Sequence, residues 1–324
     1  MRIRGLAIIG FAFVLFIPIA ALPADWFVPG NFATIQEAID NSSVENGDRI
    51  FVGPGNHAGA LLTKGVEIRG KGGATIDSGP PHSSGLIQGF QLLAGSDGAT
   101  ISHLIFRVDL AIMNGAAVND VTVSHCTFLN TVQAISNWGG SSWDINHNEI
   151  RDLRTDCGGG IGVLIGDRAE GTVSYNVVAH NKISGVLTSP APPDECGGYN
   201  GSGIVLYADF RWGAPGTQSI SYNRVVKNWV ALVSKSSPLV DVVAFEMTDT
   251  RDDPSLAVIH DNAIRFNDFR RTTLQIDLTP DNLDEYNSIS RNLGENCGHG
   301  RHPWGKHTRM PHKFRGRTHP HHHD

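Results

Sequence analysis

A ten-residue segment that occurs twice constrains the fold of this chain more than any other feature. TVSYNVVAHN runs from Thr172 to Asn181, and SISYNRVVKN runs from Ser219 to Asn228, forty-seven residues later. Aligned on a shared anchor position, the unit occurs about seven times, which indicates a repeat architecture. The anchor positions are Leu104, Cys126, Asn148, Asn176, Asn223, Asn262 and Asn292.

Two apolar columns flank the anchor position. Two residues after it, six of the seven units have Phe, Ile or Val. Short β-branched runs between glycine-containing turns predict strands rather than helices, and a period near 22 residues with insertions predicts a parallel β-solenoid. Successive coils lie about 4.8 Å apart, so we expect both columns to stack inside the tube. Three residues before the anchor stand Ile101, Val123, Ile145, Val173, Ile220, Ile259 and Ile289.

The anchor column itself predicts a ladder of side-chain hydrogen bonds. A carboxamide turned inward at a bend can donate to one coil and accept from the next, for about 0.5–1.5 kcal/mol per bond. Leu104 and Cys126 would continue the column as apolar packing, so Cys126 is expected to be a buried thiol. The predicted structural asparagines are Asn148, Asn176, Asn223, Asn262 and Asn292.

The segment from Asn31 to Asp77, NFATIQEAIDNSSVENGDRIFVGPGNHAGALLTKGVEIRGKGGATID, resembles the opening of right-handed parallel β-helix proteins. These form the pectin lyase-like superfamily, and the N-terminal third is most similar to its pectinesterases. The resemblance implies an all-β, right-handed parallel β-helix of about 7–9 coils. It also implies that TIQEAI is a short capping helix, with Ile35, Ala38 and Ile39 facing the tube and blocking an open edge. The superfamily holds lyases, hydrolases, esterases, epimerases and non-catalytic proteins, so it implies the fold more than an activity.

The N-terminus predicts export. Arg2 and Arg4 precede the apolar stretch Leu6–Ile17, and prolines and alanines follow it. This is the pattern of a cleaved signal peptide, placed here at residues 1–24; a retained membrane anchor is the alternative. We therefore expect a secreted, periplasmic or cell-surface protein, with one β-helix domain at residues 25–297.

The charge distribution separates the body from the C-terminal tail. The whole chain carries a net charge of −6, yet residues 298–324 hold six Lys or Arg and one Asp. The body is therefore acidic, which argues against a nucleic-acid partner. The tail holds eight of the fifteen histidines, has no apolar period and is expected to be disordered.

The tail gives rise to one alternative function. Its imidazoles can bind transition metals loosely, with His319, His321, His322 and His323 as candidate ligands. The resemblance to periplasmic β-helix proteins of denitrifying bacteria, which are implicated in copper maturation, makes a copper-handling protein one alternative.

Two cysteines share a context. Cys157 stands in DCGGG and Cys196 in ECGGY, each before a glycine-rich entry into a predicted strand on neighbouring coils. We predict a disulfide between them, as suits an exported protein. Cys297 has no assigned role.

Four predicted strands end in acidic residues, and arginines follow closely in three of them. They are IGVLIGD, GIVLYAD, VVAFEMTD and LQIDLTPD. Carboxylates can share a proton or bind Ca²⁺, and arginine binds the carboxylate of an acidic sugar in a bidentate manner. We therefore predict a face that binds, and can degrade or modify, an acidic polysaccharide. Candidate catalytic residues are Asp167, Asp209, Arg211, Glu246, Asp249, Arg251 and Asp277, and candidate substrate-binding residues are Arg168, Tyr207, Trp212, Asp252 and Asp253.

Motifs for a particular activity are mostly absent. Gly298-His299-Gly300 matches one polygalacturonase motif but lies beyond the last coil, without its companions. The paired aspartates of pectinesterases and the Asp-Pro-His-Asp of alginate epimerases have no clear match. Whether the chain cleaves its polysaccharide stays open; an enzyme would be lyase-, hydrolase- or esterase-like. A non-catalytic surface or adhesion module is a further alternative, and we expect a monomer.

Three histidines directly precede the anchor on adjacent units. His103, His125 and His147 would stack about 5 Å apart, where they can bind a metal ion or titrate near pH 6–7. We favour an exposed bend with stacked rings, because imidazoles on one straight ladder converge poorly on a tetrahedral ion.

Overall fold

The computed structural model describes residues 22–155, 159–167, 171–189, 201–210, 219–235, 242–251 and 258–294. In chain order its first elements are β1 (Asp25–Val28), α1 (Ile35–Asp40), β2 (Arg49–Val52), β3 (Gly55–Ala58), β4 (Leu61–Leu62), β5 (Glu67–Gly70), β6 (Ala74–Ser78), β7 (Gln88–Leu92), β8 (Thr100–Ser102), β9 (Ile105–Phe106), β10 (Leu110–Asn114), β11 (Thr122–Ser124), β12 (Thr127–Thr131), β13 (Gln133–Trp138) and β14 (Asp144–Asn146). These are followed by β15 (Glu149–Arg154), β16 (Ile161–Asp167), β17 (Thr172–Ser174), β18 (Val177–Ala179), β19 (Lys182–Thr188), β20 (Gly201–Ala208), β21 (Ser219–Ser221), β22 (Arg224–Val226), β23 (Trp229–Ser234), β24 (Val242–Asp249), β25 (Ile259–His260), β26 (Ala263–Arg265), β27 (Leu274–Thr279), the 3-10 helix η1 (Asp281–Glu285) and β28 (Ser288–Ser290).

The strands stack into parallel sheets wound around one core. The first face has ten strands in the order β1-β2-β5-β8-β11-β14-β18-β22-β26-β28. The second face is β23-β19-β15-β12-β9-β6-β3, and the third face is β27-β24-β20-β16-β13-β10-β7-β4. A three-stranded corner sheet, β17-β21-β25, lies between the third and first faces in the later coils. This confirms the predicted right-handed parallel β-helix, and right-handed crossovers are the rule for parallel strands.

The helix α1 lies where the capping helix is predicted. The side chain of Thr34 accepts a hydrogen bond from the Glu37 amide at 3.1 Å, which satisfies one of the free donors at the helix N-terminus. Ile35, Ala38 and Ile39 are fully buried in the common core. The helix therefore covers the N-terminal end of the apolar interior.

The predicted apolar column is two columns in the structure. Val123 pairs with Ile101 and Ile145 on the first face. Ile145 then pairs with Val178, not with Val173. Val173, Ile220 and Ile259 stack on one another in the corner sheet instead, and the interior positions of both columns are buried.

The asparagine column likewise divides into two ladders. One ladder starts at Asn148 and the other at Asn176, so these two residues do not stack on each other as predicted. The repeat has two bends five residues apart, each with an inward asparagine, and the alignment merged them. The first ladder holds Asn176, Asn223, Asn262 and Asn287; the second holds Asn148, Asn181, Asn228, Asn267 and Asn292.

Asn223 shows how a ladder asparagine saturates its carboxamide. Asn223 Nδ2 donates to Asn262 Oδ1 at 2.9 Å and to the Val173 carbonyl at 3.0 Å. Its Oδ1 accepts from the backbone N–H of Asn176 at 3.0 Å and from Asn176 Nδ2 at 2.9 Å. The residue before it, Tyr222, has a φ of 58°, a left-handed conformation that turns the chain at the bend. The interior is therefore polar but hydrogen-bonded at this corner.

The second ladder ends at Cys126. Its backbone N–H donates to Asn148 Oδ1 at 3.0 Å, and Leu104 is buried on the preceding coil. Burial raises the pKa of the Cys126 thiol to about 12. The amide ladder therefore gives way to a buried thiol and a leucine, as the sequence suggests.

Residues 1–21 of the predicted signal peptide, Cys297 and the predicted tail at 298–324 lie outside the described residues. Within the part of the chain that the structure describes, no helix is long and apolar enough to cross a membrane.

Candidate functional site

A cleft of about 640 Å³ lies on the outer surface of the third face. Gln91 on β7, Met113 on β10 and Gln133 on β13 line it from the sheet. Gln91 pairs in register with Met113, so these side chains come from adjacent coils. Ser136 is the register partner of Met113 on the next coil, and its Oγ donates to Gln133 Oε1 at 2.7 Å. Along the stacking direction, Gln91, Met113 and Ser136 therefore form one row, and Gln133 contributes a second amide from the neighbouring row of Leu110.

One wall of the cleft is the loop that enters β7. Its lining residues include His82, Ser84 and Leu86. An isolated bridge between Pro81 and Ile87 closes the base of the loop. The Ile87 backbone N–H donates to Asp109 Oδ2 at 2.8 Å, which fixes the loop against the next coil.

The other wall is formed by the turns that leave β10 and β13. Asn114 Nδ2 donates to the carbonyls of Ala116 and Trp138, both at 2.8 Å. Asn114 Oδ1 accepts from the Trp138 backbone N–H at 2.6 Å, so one buried side chain ties the two turns together. At Gly115 an added Cβ would lie 2.7 Å from Gln91 Nε2, so glycine leaves this part of the cleft open. The Trp138 ring meets Tyr207 edge-on, with centroids 6.2 Å apart.

The lining is mainly neutral. Amides, hydroxyls, a thioether and the Trp138 indole predominate, with His82 as the imidazole and Asp167 as the carboxylate. No lysine or arginine belongs to the lining that the described residues form. Asp167 ends β16 and is only 3 % exposed. The cleft therefore suits hydrogen bonding and stacking with a neutral ligand better than pairing with an anion.

Several predicted catalytic carboxylates are buried rather than displayed on an open face. Asp167 and Asp249 occupy matching ends of β16 and β24, with Ala208 of β20 between them, and Asp209 follows. All three carboxylates are at most 3 % exposed. Arg251 Nε donates to Asp249 Oδ1 at 3.0 Å and to Oδ2 at 2.9 Å, and Nη2 donates to Oδ2 at 2.5 Å. This arrangement is an internal ion pair.

Glu246 and Asp277, two of the predicted catalytic residues, form a pair of carboxyl groups in the structure. They lie opposite each other on β24 and β27. Ser202 Oγ donates to Glu246 Oε2, and Thr248 Oγ1 donates to Oε1 at 2.6 Å. Burial, above all, raises the pKa of Glu246, and the nearby charge of Asp277 raises it further.

The remaining predicted residues divide by location. Tyr207 lies on β20 beside Trp138. The others fall outside the described residues: Arg168, Arg211, Trp212, Asp252, Asp253, Cys157, Cys196, His319, His321, His322 and His323.

The predicted histidine column is a stack of parallel rings. His103 and His125 have ring centroids 5.1 Å apart, and His125 and His147 are 5.2 Å apart. A fourth member, His180, continues the stack at 4.9 Å from His147. Sequence reasoning missed His180, although the Asn-X4-Asn spacing of Asn176 and Asn181 places it there. Among the described residues no group of three or more His, Cys, Asp or Glu could hold a metal ion.

His103, the first residue of the stack, predicts acid sensitivity. Burial, followed by the charges of Arg69 and His125, lowers the pKa of His103 below its usual 6.5, while Glu67 opposes the shift. The unfolded chain therefore binds this proton more tightly, so stability falls as the pH drops below about 6.5. We expect the melting temperature to decline between pH 7.5 and 5.5, and His103→Gln to reduce the decline. The control is His82→Gln, a half-buried histidine outside the stack. An unaltered pH dependence in His103→Gln would refute this expectation.

Comparisons with known proteins find solved structures of low similarity. No protein-family profile matches the chain, and neither does any curated protein. The catalytic domain of a GH87 alpha-1,3-glucanase in complex with nigerose is similar at a TM-score of 0.34 and 14 % identity, covering 85 % of this chain and 70 % of that chain. The A-module of mannuronan C-5 epimerase AlgE4 from Azotobacter vinelandii has a TM-score of 0.28 and 15 % identity, covering 85 % and 92 % respectively. The stacked parallel sheets of the described residues make this chain a right-handed parallel β-helix protein.

Proposed function

We propose that the protein binds a polysaccharide chain, with neutral sugar residues held in the cleft of the third face. The observation that supports this most is the lining: amides and hydroxyls around Trp138, without a lysine or arginine among the described lining residues. Sugars offer many hydroxyls and an apolar ring face, which such a lining can bond and stack against. The volume of about 640 Å³ falls within the range of ligand-binding clefts.

The placement of the walls favours a linear ligand. One wall precedes the strands and the other follows them, so the space between runs across β7, β10 and β13. This direction is the solenoid axis, because parallel strands stack at about 4.8 Å along it. A glycan chain would therefore lie lengthwise along the face and contact one coil after another.

An acidic polysaccharide, predicted from the acid- and arginine-rich strand ends, has less support from the described residues. Arg251 is bonded to Asp249 rather than displayed in the cleft, and Asp167 would oppose a uronate carboxylate there. We therefore propose a neutral glycan as the preferred ligand. The binding experiment also includes polyuronates, so that the two classes of polysaccharide are compared.

Trp138→Ala is expected to weaken binding of the preferred glycan about tenfold, which corresponds to about 1.4 kcal/mol. The measurement is affinity electrophoresis followed by calorimetry against neutral glucans and mannans and against polygalacturonate and alginate. Phe27→Ala, which removes an exposed aromatic ring from the first face, is the matched control and should bind as the parent does. Equal loss in both variants, or salt-sensitive binding of polyuronates alone, would contradict the neutral-glycan assignment.

Cleavage of the bound chain is a second candidate function, favoured by Glu246 and Asp277. A carboxyl group with a raised pKa next to a second carboxylate is the arrangement that glycoside hydrolysis uses for its acid. Release of reducing ends from the glycan that binds, abolished in Glu246→Gln, would support it. If the parent protein releases neither reducing ends nor, from polyuronates, unsaturated products, a non-catalytic binding module is the better description.

A further inference from the structure

We propose a second, nucleophilic site on the corner sheet, in which Ser219, His260 and Asp261 hydrolyse small acyl esters. None of these residues lines the cleft of the third face. The site therefore stands independently of the proposed glycan binding.

The contacts follow the order that a serine hydrolase requires. Ser219 Oγ lies 3.0 Å from His260 Nε2, and His260 Nδ1 lies 2.8 Å from Asp261 Oδ2. Both distances fall within the reach expected between a nucleophile, its base and the group that orients the base. A carboxylate accepts but does not donate, so Nδ1 carries the proton in this pair. The neutral imidazole then offers the Nε2 lone pair to the Ser219 hydroxyl.

A neighbouring hydroxyl accepts from the nucleophile. Ser219 Oγ donates to Ser221 Oγ at 2.8 Å, and the same Ser219 oxygen lies 3.0 Å from His260 Nε2. A serine hydroxyl carries one proton and rotates about its C–O bond, so Ser219 can direct this proton to His260 instead.

The buried ladder holds the parts of this site in register. Asn262 Nδ2 donates to the Ile220 carbonyl at 2.8 Å and to the His260 carbonyl at 3.0 Å. One buried amide thus ties the strand that carries Ser219 to the residue that carries the base. Ile220 also pairs directly with Ile259, and both side chains are fully buried. Asn262 is therefore a positioning residue on a rigid element, as a preorganised site needs.

The site is accessible to an ester on a larger molecule. The side chains of His260 and Asp261 are 33 % and 55 % exposed, and Ser219 is half-buried. In the reaction, Ser219 Oγ attacks the carbonyl carbon and its proton passes to His260 Nε2. The bond to the alkoxy oxygen breaks, and the alcohol leaves with that proton. Water then attacks the acyl-serine, again through Nε2, and releases the acid; the step consumes one water and needs no cofactor.

The test uses the full chain with a fluorophosphonate probe, peptide mapping of the adduct, and p-nitrophenyl acetate hydrolysis. We expect the adduct on Ser219, about a hundredfold lower rates in Ser219→Ala and His260→Gln, and a smaller loss in Asp261→Asn.

The controls separate this site from surface histidines that hydrolyse the ester without a nucleophilic serine. Exposed Ser43→Ala should keep the parent rate, and each variant should melt as the parent does. Absence of an adduct on Ser219 overturns the proposal. So does an unchanged rate in a folded Ser219→Ala variant, because the histidines then account for all turnover.

Discussion

Gly59→Ala is expected to destabilise the protein by about 3 kcal/mol or more, the upper range for overpacking. An added Cβ would lie 1.9 Å from the carbonyl oxygen of Gly89 on the next coil, and 2.4 Å from its carbonyl carbon. Both are backbone atoms, so no side chain can move aside. The coils would have to separate, which would break the 3.1 Å bond from the Gln91 N–H to the Ala60 carbonyl.

Gly53→Ala provides the matched control. The nearest heavy atom to its added Cβ is the Val28 carbonyl oxygen at 3.4 Å, an ordinary contact. Thermal and urea unfolding of the two variants should therefore differ widely, with Gly53→Ala close to the parent. If Gly59→Ala proves as stable as Gly53→Ala, the coils are not packed backbone to backbone at this point.

Asn223→Ala is expected to cost about 4 kcal/mol, because several buried groups lose their partners at once. The backbone N–H and the side-chain amide of Asn176 lose their acceptor, and the Val173 carbonyl loses its donor. Asn262 Oδ1 also loses one of its two donors. At this chain length the melting temperature should fall by about 6–7 °C, because the entropy of unfolding is about 2.1 cal/mol/K per residue.

The control for this variant is Asn56→Ala, which removes an exposed carboxamide from β3. Its stability should change by less than about 0.5 kcal/mol, as at most surface positions. Equal melting temperatures for Asn223→Ala and Asn56→Ala would show that the ladder contributes no stability.

The fold was predictable from the sequence because a solenoid repeats its inward residues. Ile101, Val123 and Ile145 are equally spaced and β-branched, and they stack as that pattern predicts. The capping helix was predictable as well, since Ile35, Ala38 and Ile39 give it one apolar side.

The register of the later coils was not predictable from that pattern. The two bends of each coil have the same sequence pattern: a residue in the left-handed conformation, an inward asparagine and then a short strand. In one coil the left-handed residues are Tyr175, with a φ of 60°, and His180, with a φ of 56°. Asn148 could therefore be matched to Asn176 at 28 residues instead of to Asn181 at 33. Insertions of unequal length between the later coils leave no constant period that would distinguish these two alignments.

The site was less predictable than the fold, because its parts come together only through the register. The cleft needs the loop before β7 and the turns after β10 and β13, which the repeat does not encode. Ser219 and His260 stand forty-one residues apart and meet through the pairing of β21 with β25. The acidic strand ends predicted an exposed face, because aspartates are usually found at the surface. In the structure, however, Asp209 and Asp249 are buried at the ends of their strands.

Disulfide trapping tests the two-ladder stack most directly. With Cys157, Cys196 and Cys297 replaced by serine, Asp144→Cys is combined either with Val177→Cys or with Thr172→Cys. Asp144 and Val177 are register partners about 4.8 Å apart, within disulfide range, whereas Thr172 belongs to the corner sheet and pairs with Ser219. Thiol titration after mild oxidation should show a bond in the Asp144/Val177 pair and free thiols in the other. A bond in the Asp144/Thr172 pair instead would contradict the two ladders and restore the single column.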